Sequence, residues 1–165
     1  MVITPCRDEV DHLAGTIESM AAQNVRPAQW VIVDDGSTDG TSELLDDFSA
    51  QHDWIVPVHR VDRGHRLNGS GVMHAVHEGL DRLDVEEWDY LVKLDADLTF
   101  SPDYFSACFA AFDDDAALGI GGGIVKSEVD GRLIDEKHPA FHVRGATKIY
   151  RCLLYTSDAA DDETS

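Results

Sequence analysis

The sequence predicts an α/β fold, a mostly parallel sheet flanked by helices. Three observations point there. Strand and helix signals alternate from residue 2 onward, the strand run at Gln29 to Val33 is almost wholly apolar rather than alternating, and acidic residues stand where such runs end. Val2-Ile3-Thr4 reads as a first short strand ending at Pro5. Val10, Leu13, Ile17 and Met20 recur at helical spacing, and Asn24 and Pro27 close that helix. Gln29-Trp30-Val31-Ile32-Val33 has the composition of a strand covered on both faces. After a turn at Gly36, Ser37 or Thr38 is expected to cap a helix carrying Leu44, Leu45 and Phe48.

Trp54 to Val58 reads as the third strand. The loop from Asp62 to Gly71 leads into a helix bearing Val72, Ala75, Val76, Gly79, Leu80 and Leu83. Tyr90-Leu91-Val92-Lys93-Leu94 is the next strand, delivering Asp95 at its end. A helix starting near Ser101-Pro102 carries Tyr104, Phe105, Cys108, Phe109 and Phe112. Leu118 to Val125, with three consecutive glycines, predicts one more strand, and no repeat or interdomain linker is visible.

Composition narrows the function classes. A chain of 165 residues with 43% apolar content is long enough for one domain with a real core. No stretch approaches the ~18 apolar residues a membrane span needs, and the first residues lack the pattern of a secretory signal. Three cysteines form no disulfide framework, so a cytoplasmic setting is expected, with the inner face of a membrane open to a longer protein. The net charge of −19 repels nucleic acid and anionic membranes, so neither is an expected partner. The same charge repels any anionic ligand, which would therefore need a local cation.

The chemistry concentrates at strand ends. Asp95-Ala96-Asp97 places two carboxylates one residue apart where the chain leaves a strand. Hard oxygen ligands of this kind suit Mg²⁺ or Mn²⁺, with substrate phosphates filling the open positions. Ligands in parallel sheets bind beyond the carboxyl ends of strands, near a switch in strand order, and Thr4, Asp34, Asp35, Asp95 and Asp97 all fall at such ends.

With these motifs in place, the chain resembles a family 2 glycosyltransferase of the GT-A, Rossmann-like nucleotide-sugar-binding fold. Ile3-Thr4-Pro5-Cys6-Arg7-Asp8-Glu9 matches that family's opening strand and acidic turn, and Val31 to Thr41, containing Asp34-Asp35-Gly36-Ser37, matches its nucleotide loop. Asp95-Ala96-Asp97 matches the metal motif, with Pro102 after it, and the Asp62 to Gly71 loop resembles the segment placed beside the diphosphate. Cys6-Arg7-Asp8 departs from the small residue, aromatic and Asn of many members. The resemblance implies transfer of a sugar from a nucleotide-diphosphate sugar to an acceptor hydroxyl, metal-assisted and with inversion.

It also implies roles. Asp97, with Asp95, is expected to hold the metal and the sugar diphosphate. Asp34 or Asp35 accepts a hydrogen bond from base or ribose, or else the pair merely shapes the turn. Thr4 meets the base or is an ordinary strand residue. Arg63 and Arg66 bring positive charge to the diphosphate or pair with neighbouring acids, and Asp39 and Thr41 start a helix. His142 is expected to be structural, although His142-Val143-Arg144-Gly145-Ala146 resembles the family's acceptor side.

The resemblance covers residues 1–151, taken as an incomplete nucleotide-sugar-binding domain whose catalytic base lies beyond residue 151. Cys152 to Asp162 resembles a translated sequencing-library adapter, and Cys152 to Ser165 is expected to be a non-native tail. Two rivals remain at this point. One is a haloacid-dehalogenase-like phosphatase with Asp95 as nucleophile; the other is a truncated fragment that binds nucleotide without catalysis.

Overall fold

In the computed structural model, residues 1–64, 70–85, 88–136, 139 and 143–152 are described. Arg66, His138, His142 and the tail from 153 to 165 lie outside them. The elements are β1 (Val2–Cys6), α1 (Val10–Ala21), β2 (Trp30–Asp34), α2 (Thr41–Ser49), β3 (Ile55–His59), α3 (Ser70–Asp81), β4 (Tyr90–Leu94), α4 (Tyr104–Asp114), β5 (Ile120–Gly121), β6 (Lys126–Val129), β7 (Arg132–Asp135) and β8 (Thr147–Arg151).

The main sheet has the order β3-β2-β1-β4-β8-β5. β1 to β4 are parallel, as expected from the alternating β-α signals, while β8 enters antiparallel between β4 and β5. One face of the sheet packs Leu13, Ile17 and Met20 of α1, Leu45 of α2, and Phe105 and Phe112 of α4 against Val2, Trp30, Ile32, Val92, Leu94 and Ile149. The opposite face sets Ala75 of α3 against Val31, Val33 and Val58. Deleting one of the fully buried side chains, such as Leu13 or Ile17, costs about 2–5 kcal/mol by the usual cavity penalty.

Several boundaries differ from the sequence reading for identifiable reasons. β1 continues through Pro5 to Cys6 in register with β2, instead of stopping at Pro5. The backbone of Met1 addresses β4, through a bond from Val92 to its carbonyl, whereas Val2 and Cys6 bond toward β2. Alternation therefore turns Pro5 toward β4, where its missing N–H interrupts nothing, because the β1–β4 pairing has already ended at Ile3↔Lys93. α2 starts at Thr41 behind Gly40, with no side-chain cap, because Ser37 is used elsewhere.

The glycine stretch yields only the two-residue β5, an edge strand. Gly123 is required by packing: a Cβ there would lie 2.3 Å from the Tyr104 ring, whose hydroxyl accepts the Gly123 N–H at 3.0 Å and meets the Thr147 hydroxyl at 2.9 Å. Burial pushes the Tyr104 pKa up to about 12, so the hydroxyl keeps its proton at neutral pH. The exposed β6–β7 hairpin and β8 were absent from the sequence reading.

Candidate active site

Strand order switches between β1 and β4, and there the two strands part. Beyond Ile3↔Lys93 their pairing stops, while β1 stays bonded to β2 as far as Cys6↔Asp34. The opening is a cleft of about 240 Å³ at the carboxyl ends of the strands. Arg7 and Glu9 line it after β1, Asp35 after β2, and Asp95 and Asp97 after β4, with Val72 and Ala75 of α3 as an apolar wall. Carboxylates 35 and 95, sixty residues apart in sequence, thus share one cavity, as the strand-end argument requires.

The metal motif is held by its middle. Ala96 is buried, and its carbonyl accepts the hydroxyl of fully buried Thr16 on α1 at 2.6 Å. With Ala96 pinned inward, the acids on either side reach the cleft. The backbone N–H of Asp95 donates to Ala146 O at 2.8 Å, anchoring the corner to the start of β8. Lys93 pairs with the Asp95 carboxylate and donates to Gly145 O at 2.7 Å. Burial raises the Asp95 pKa above the usual carboxylate value, Lys93 pulls against that rise, and the charge of Asp97 adds to it. Asp97 itself is exposed.

Asp34 and Asp35, adjacent in sequence, have different duties. Asp34 is 1% exposed and does not line the cleft. Its carboxylate accepts the Ser37 N–H at 2.9 Å, the Ser37 hydroxyl at 2.5 Å and the Ser42 hydroxyl, with His59 Nδ1 at 3.4 Å. Of the two roles open at the sequence level, this arrangement is the turn-shaping one. Gly36 follows with φ +77°, and a Cβ on it would meet Asp62 Cα at 2.5 Å, so the turn admits no side chain. Asp39 accepts the N–H groups of Thr41 at 3.0 Å and Val10 at 3.1 Å, the helix-start role expected of it.

Asp35 faces the cleft and is gripped by guanidinium groups: Arg60 at 2.7 Å and Arg63, whose Nη2 lies 2.8 Å from both carboxylate oxygens. Arg60 also reaches Glu78 at 3.0 Å. Arg7 bridges Asp35 O at 2.8 Å and Asp62 at 2.7 Å. Arg63 is therefore beside the site, engaged with an acid. Thr4 is fully buried, its hydroxyl accepting the Trp30 indole N–H at 2.8 Å, which places it in the core rather than along the cleft. Cys6 is buried at the cleft floor, where burial first, then Asp34, Glu9, Asp39 and Asp35, push its thiol well above the usual pKa and keep it inert. Arg7, Glu9, Arg60 and Lys93 were not singled out from sequence as site residues. Arg7 had a signal, as a departure from the family pattern, and Glu9 had one, as part of the acidic turn; Arg60 and Lys93 had none.

The family model of glycosyl transferase family 2 matches residues 1–160. This chain belongs to that family. Among its relatives is the succinoglycan biosynthesis protein ExoA of Rhizobium meliloti, 29% identical over 143 residues that make up 86% of this chain and 40% of that protein. The polyprenol monophosphomannose synthase of Mycolicibacterium smegmatis is 30% identical over 145 residues, 83% of this chain and 51% of that one. The chain thus spans about half, or less, of the curated relatives it matches.

Solved structures share the fold. A mannosyltransferase from Pyrobaculum calidifontis, in complex with GDP-Man and Mn²⁺, superposes with a TM-score of 0.66 at 18% identity, over 91% of this chain and 43% of the other. Staphylococcus aureus TarS 1–349 with UDP-GlcNAc gives a TM-score of 0.61 at 20% identity, covering 91% and 44%. The nucleotide-sugar-binding fold expected from the motifs is the fold found. Family 2 members of this architecture leave no place for the phosphatase rival, which needs its nucleophile loop after the first strand, whereas Asp95 follows β4.

Proposed function

We propose that this chain is the donor-binding half of a glycosyltransferase that moves a sugar from a nucleotide diphosphate to an acceptor hydroxyl with inversion. The observation that carries the reading is the single cleft uniting Asp35, Asp95 and Asp97 at the β1/β4 switch point. Among the described charged side chains lining it, Arg7 is the one cation against Glu9, Asp35, Asp95 and Asp97, an acidic balance that favours a diphosphate arriving with a cation.

The residues fit such an ion. Asp97 is exposed and Asp95 reaches the same cavity, two hard oxygen donors, and among the described residues no group of three His, Cys, Asp or Glu side chains forms a complete cage. That is the arrangement suited to Mg²⁺ or Mn²⁺ completed by phosphate oxygens, and the family neighbour solved with Mn²⁺ supports it. When bound, the ion supplies Lewis-acid stabilisation of charge on the departing nucleoside diphosphate. Asp35, immobilised by Arg60 and Arg63, offers a fixed acceptor to ribose or base. The phosphate role is assigned to Arg63, beside the site, and to Arg66, whose guanidinium has the chemistry to pair with phosphate oxygens. Val72 and Ala75 give the cleft an apolar wall on the α3 side. No acceptor-deprotonating base is assigned among the described residues, and the property proposed for this chain is donor binding. A cytoplasmic setting is part of the same reading, supported by the free thiols of Cys6 and Cys108.

Calorimetric titration of UDP and GDP, with and without Mn²⁺, tests it. One of the two nucleotides should bind in the presence of Mn²⁺, and Asp97→Ala should weaken that binding by about tenfold or more, the equivalent of ~1.4 kcal/mol. Arg66→Ala should also raise the dissociation constant. Binding that needs no metal and ignores Asp97→Ala would refute the proposal.

A further inference from the structure

We propose that Lys93 keeps the cation site half-closed until a diphosphate arrives, so that the metal enters the cleft together with the nucleotide and not ahead of it. The inference rests on the donor-binding reading above and concerns how the site is filled. Lys93 and Asp95 lie two apart at the end of β4, where alternation puts both side chains on the same side of the sheet. The Lys93 ammonium contacts the Asp95 carboxylate directly and donates to Gly145 O at 2.7 Å, so two partners fix it.

Lys93 is not a loose surface lysine. Its side chain is 19% exposed, and it borders a largely apolar groove lined by Leu91, Val76, Leu80 and Tyr150, against which the stem can lie. A half-buried, doubly held ammonium is screened less than an exposed one, so its charge acts more strongly on the neighbouring carboxylate.

The same arrangement recurs across the cleft, where Asp35 already carries Arg60 and Arg63. Two of the three aspartates facing the cavity therefore have resident cations. Among the described residues Asp97 is the one of the three with no ion pair, and no third ligand stands by to complete a cluster. One uncommitted carboxylate binds a divalent ion weakly. A diphosphate changes the balance by bringing its own oxygens and negative charge to the ion, after which Asp97 needs to supply only one or two positions.

Mn²⁺ binding to the 165-residue chain, followed by the loss of the free-ion electron paramagnetic resonance signal, tests this without any turnover. Blanks of Mn²⁺ with UDP or GDP alone correct for chelation by the nucleotide. Wild type should take up Mn²⁺ at least about tenfold more tightly with nucleotide than without it. Lys93→Met, which keeps an unbranched stem for the groove and removes the charge, should tighten Mn²⁺ binding without nucleotide by about tenfold, while Lys93→Arg should stay near wild type. Thermal melts establish that the variants are folded, and Lys93→Gln supplies the same charge loss should Lys93→Met fail to fold. Tight Mn²⁺ binding by wild type without nucleotide, or charge-loss variants that match wild type, would overturn the role given to Lys93. Absence of UDP and GDP binding at every Mn²⁺ concentration would instead overturn the donor reading itself.

Discussion

Asp34→Asn separates a scaffold residue from a ligand. The Asp34 carboxylate is 1% exposed and accepts from the Ser37 N–H, the Ser37 hydroxyl and the Ser42 hydroxyl, with His59 alongside. Asparagine keeps the shape and one acceptor oxygen, but the bonds lose their charge, and its NH₂ replaces an acceptor beside Ser42 and His59. Weakening two or three charge-assisted bonds to ordinary ones, at roughly 1 kcal/mol each, gives a loss of about 2–3 kcal/mol. For a chain of this length that lowers the melting temperature by about 5–10 °C. The assay is thermal and urea unfolding beside UDP and GDP titration with Mn²⁺, at a temperature where the variant is fully folded. The expected outcome is a clear loss of stability with nucleotide affinity changed by less than about threefold, since Asp34 does not reach the cleft. An unchanged melting temperature with nucleotide binding lost would refute the reasoning and make Asp34 a ligand.

Three further outcomes are expected. Thr4→Val, nearly isosteric, strands the buried Trp30 indole N–H and should cost about 1–3 kcal/mol in urea unfolding while leaving nucleotide affinity intact; a selective loss of affinity would contradict the core placement. For His59, burial lowers the pKa, but hydrogen bonds and charges from Asp46 and Asp34 outweigh it and leave the value raised. Its contribution is therefore fully present below an unfolded pKa of ~6.5 and is lost as pH climbs through the higher folded value. The stability gap between wild type and His59→Gln should narrow from pH 6 to pH 8, by no more than about 1 kcal/mol given the exposure of both His59 and Asp46; parallel profiles would sink this account. A chain ending at Cys152 should bind nucleotide and Mn²⁺ as the 165-residue chain does, and loss of binding would show that the last thirteen residues contribute.

What was legible in the sequence was what local chemistry encodes. Apolar runs ending in acids announced β2 and β4 because a strand covered on both faces has to be apolar throughout, and its carboxyl end is where polar groups first emerge. Asp95-Ala96-Asp97 could be placed for the same reason. What depends on partners distant in the chain stayed hidden. Thr4 and Trp30 are joined by one hydrogen bond across 26 residues, and nothing in Val2-Ile3-Thr4 reveals it. Asp34 and Asp35 look equivalent in sequence, yet the turn at Gly36 sends one carboxylate inward to two serines and leaves the other facing the cleft.

The missed strands have physical reasons too. β6 and β7 are exposed at every position, so they carry no core-facing alternation. In β8, Thr147 and Ile149 are buried while Lys148 and Tyr150 are not, a two-residue signal too short to distinguish from a loop. Pro5 read as a strand end because a central strand normally needs every N–H. Here it marks the place where β1 and β4 separate, and so it marks the mouth of the site.

The most direct test of the central claim is the anomalous scattering of Mn²⁺ in crystals of this chain grown with UDP or GDP. The account predicts a peak within coordination distance of an Asp97 carboxylate oxygen and of the diphosphate, inside the cleft between β1 and β4. A nucleotide seated elsewhere, such as along the groove beside Leu91 and Tyr150, or a metal away from Asp97, would contradict it.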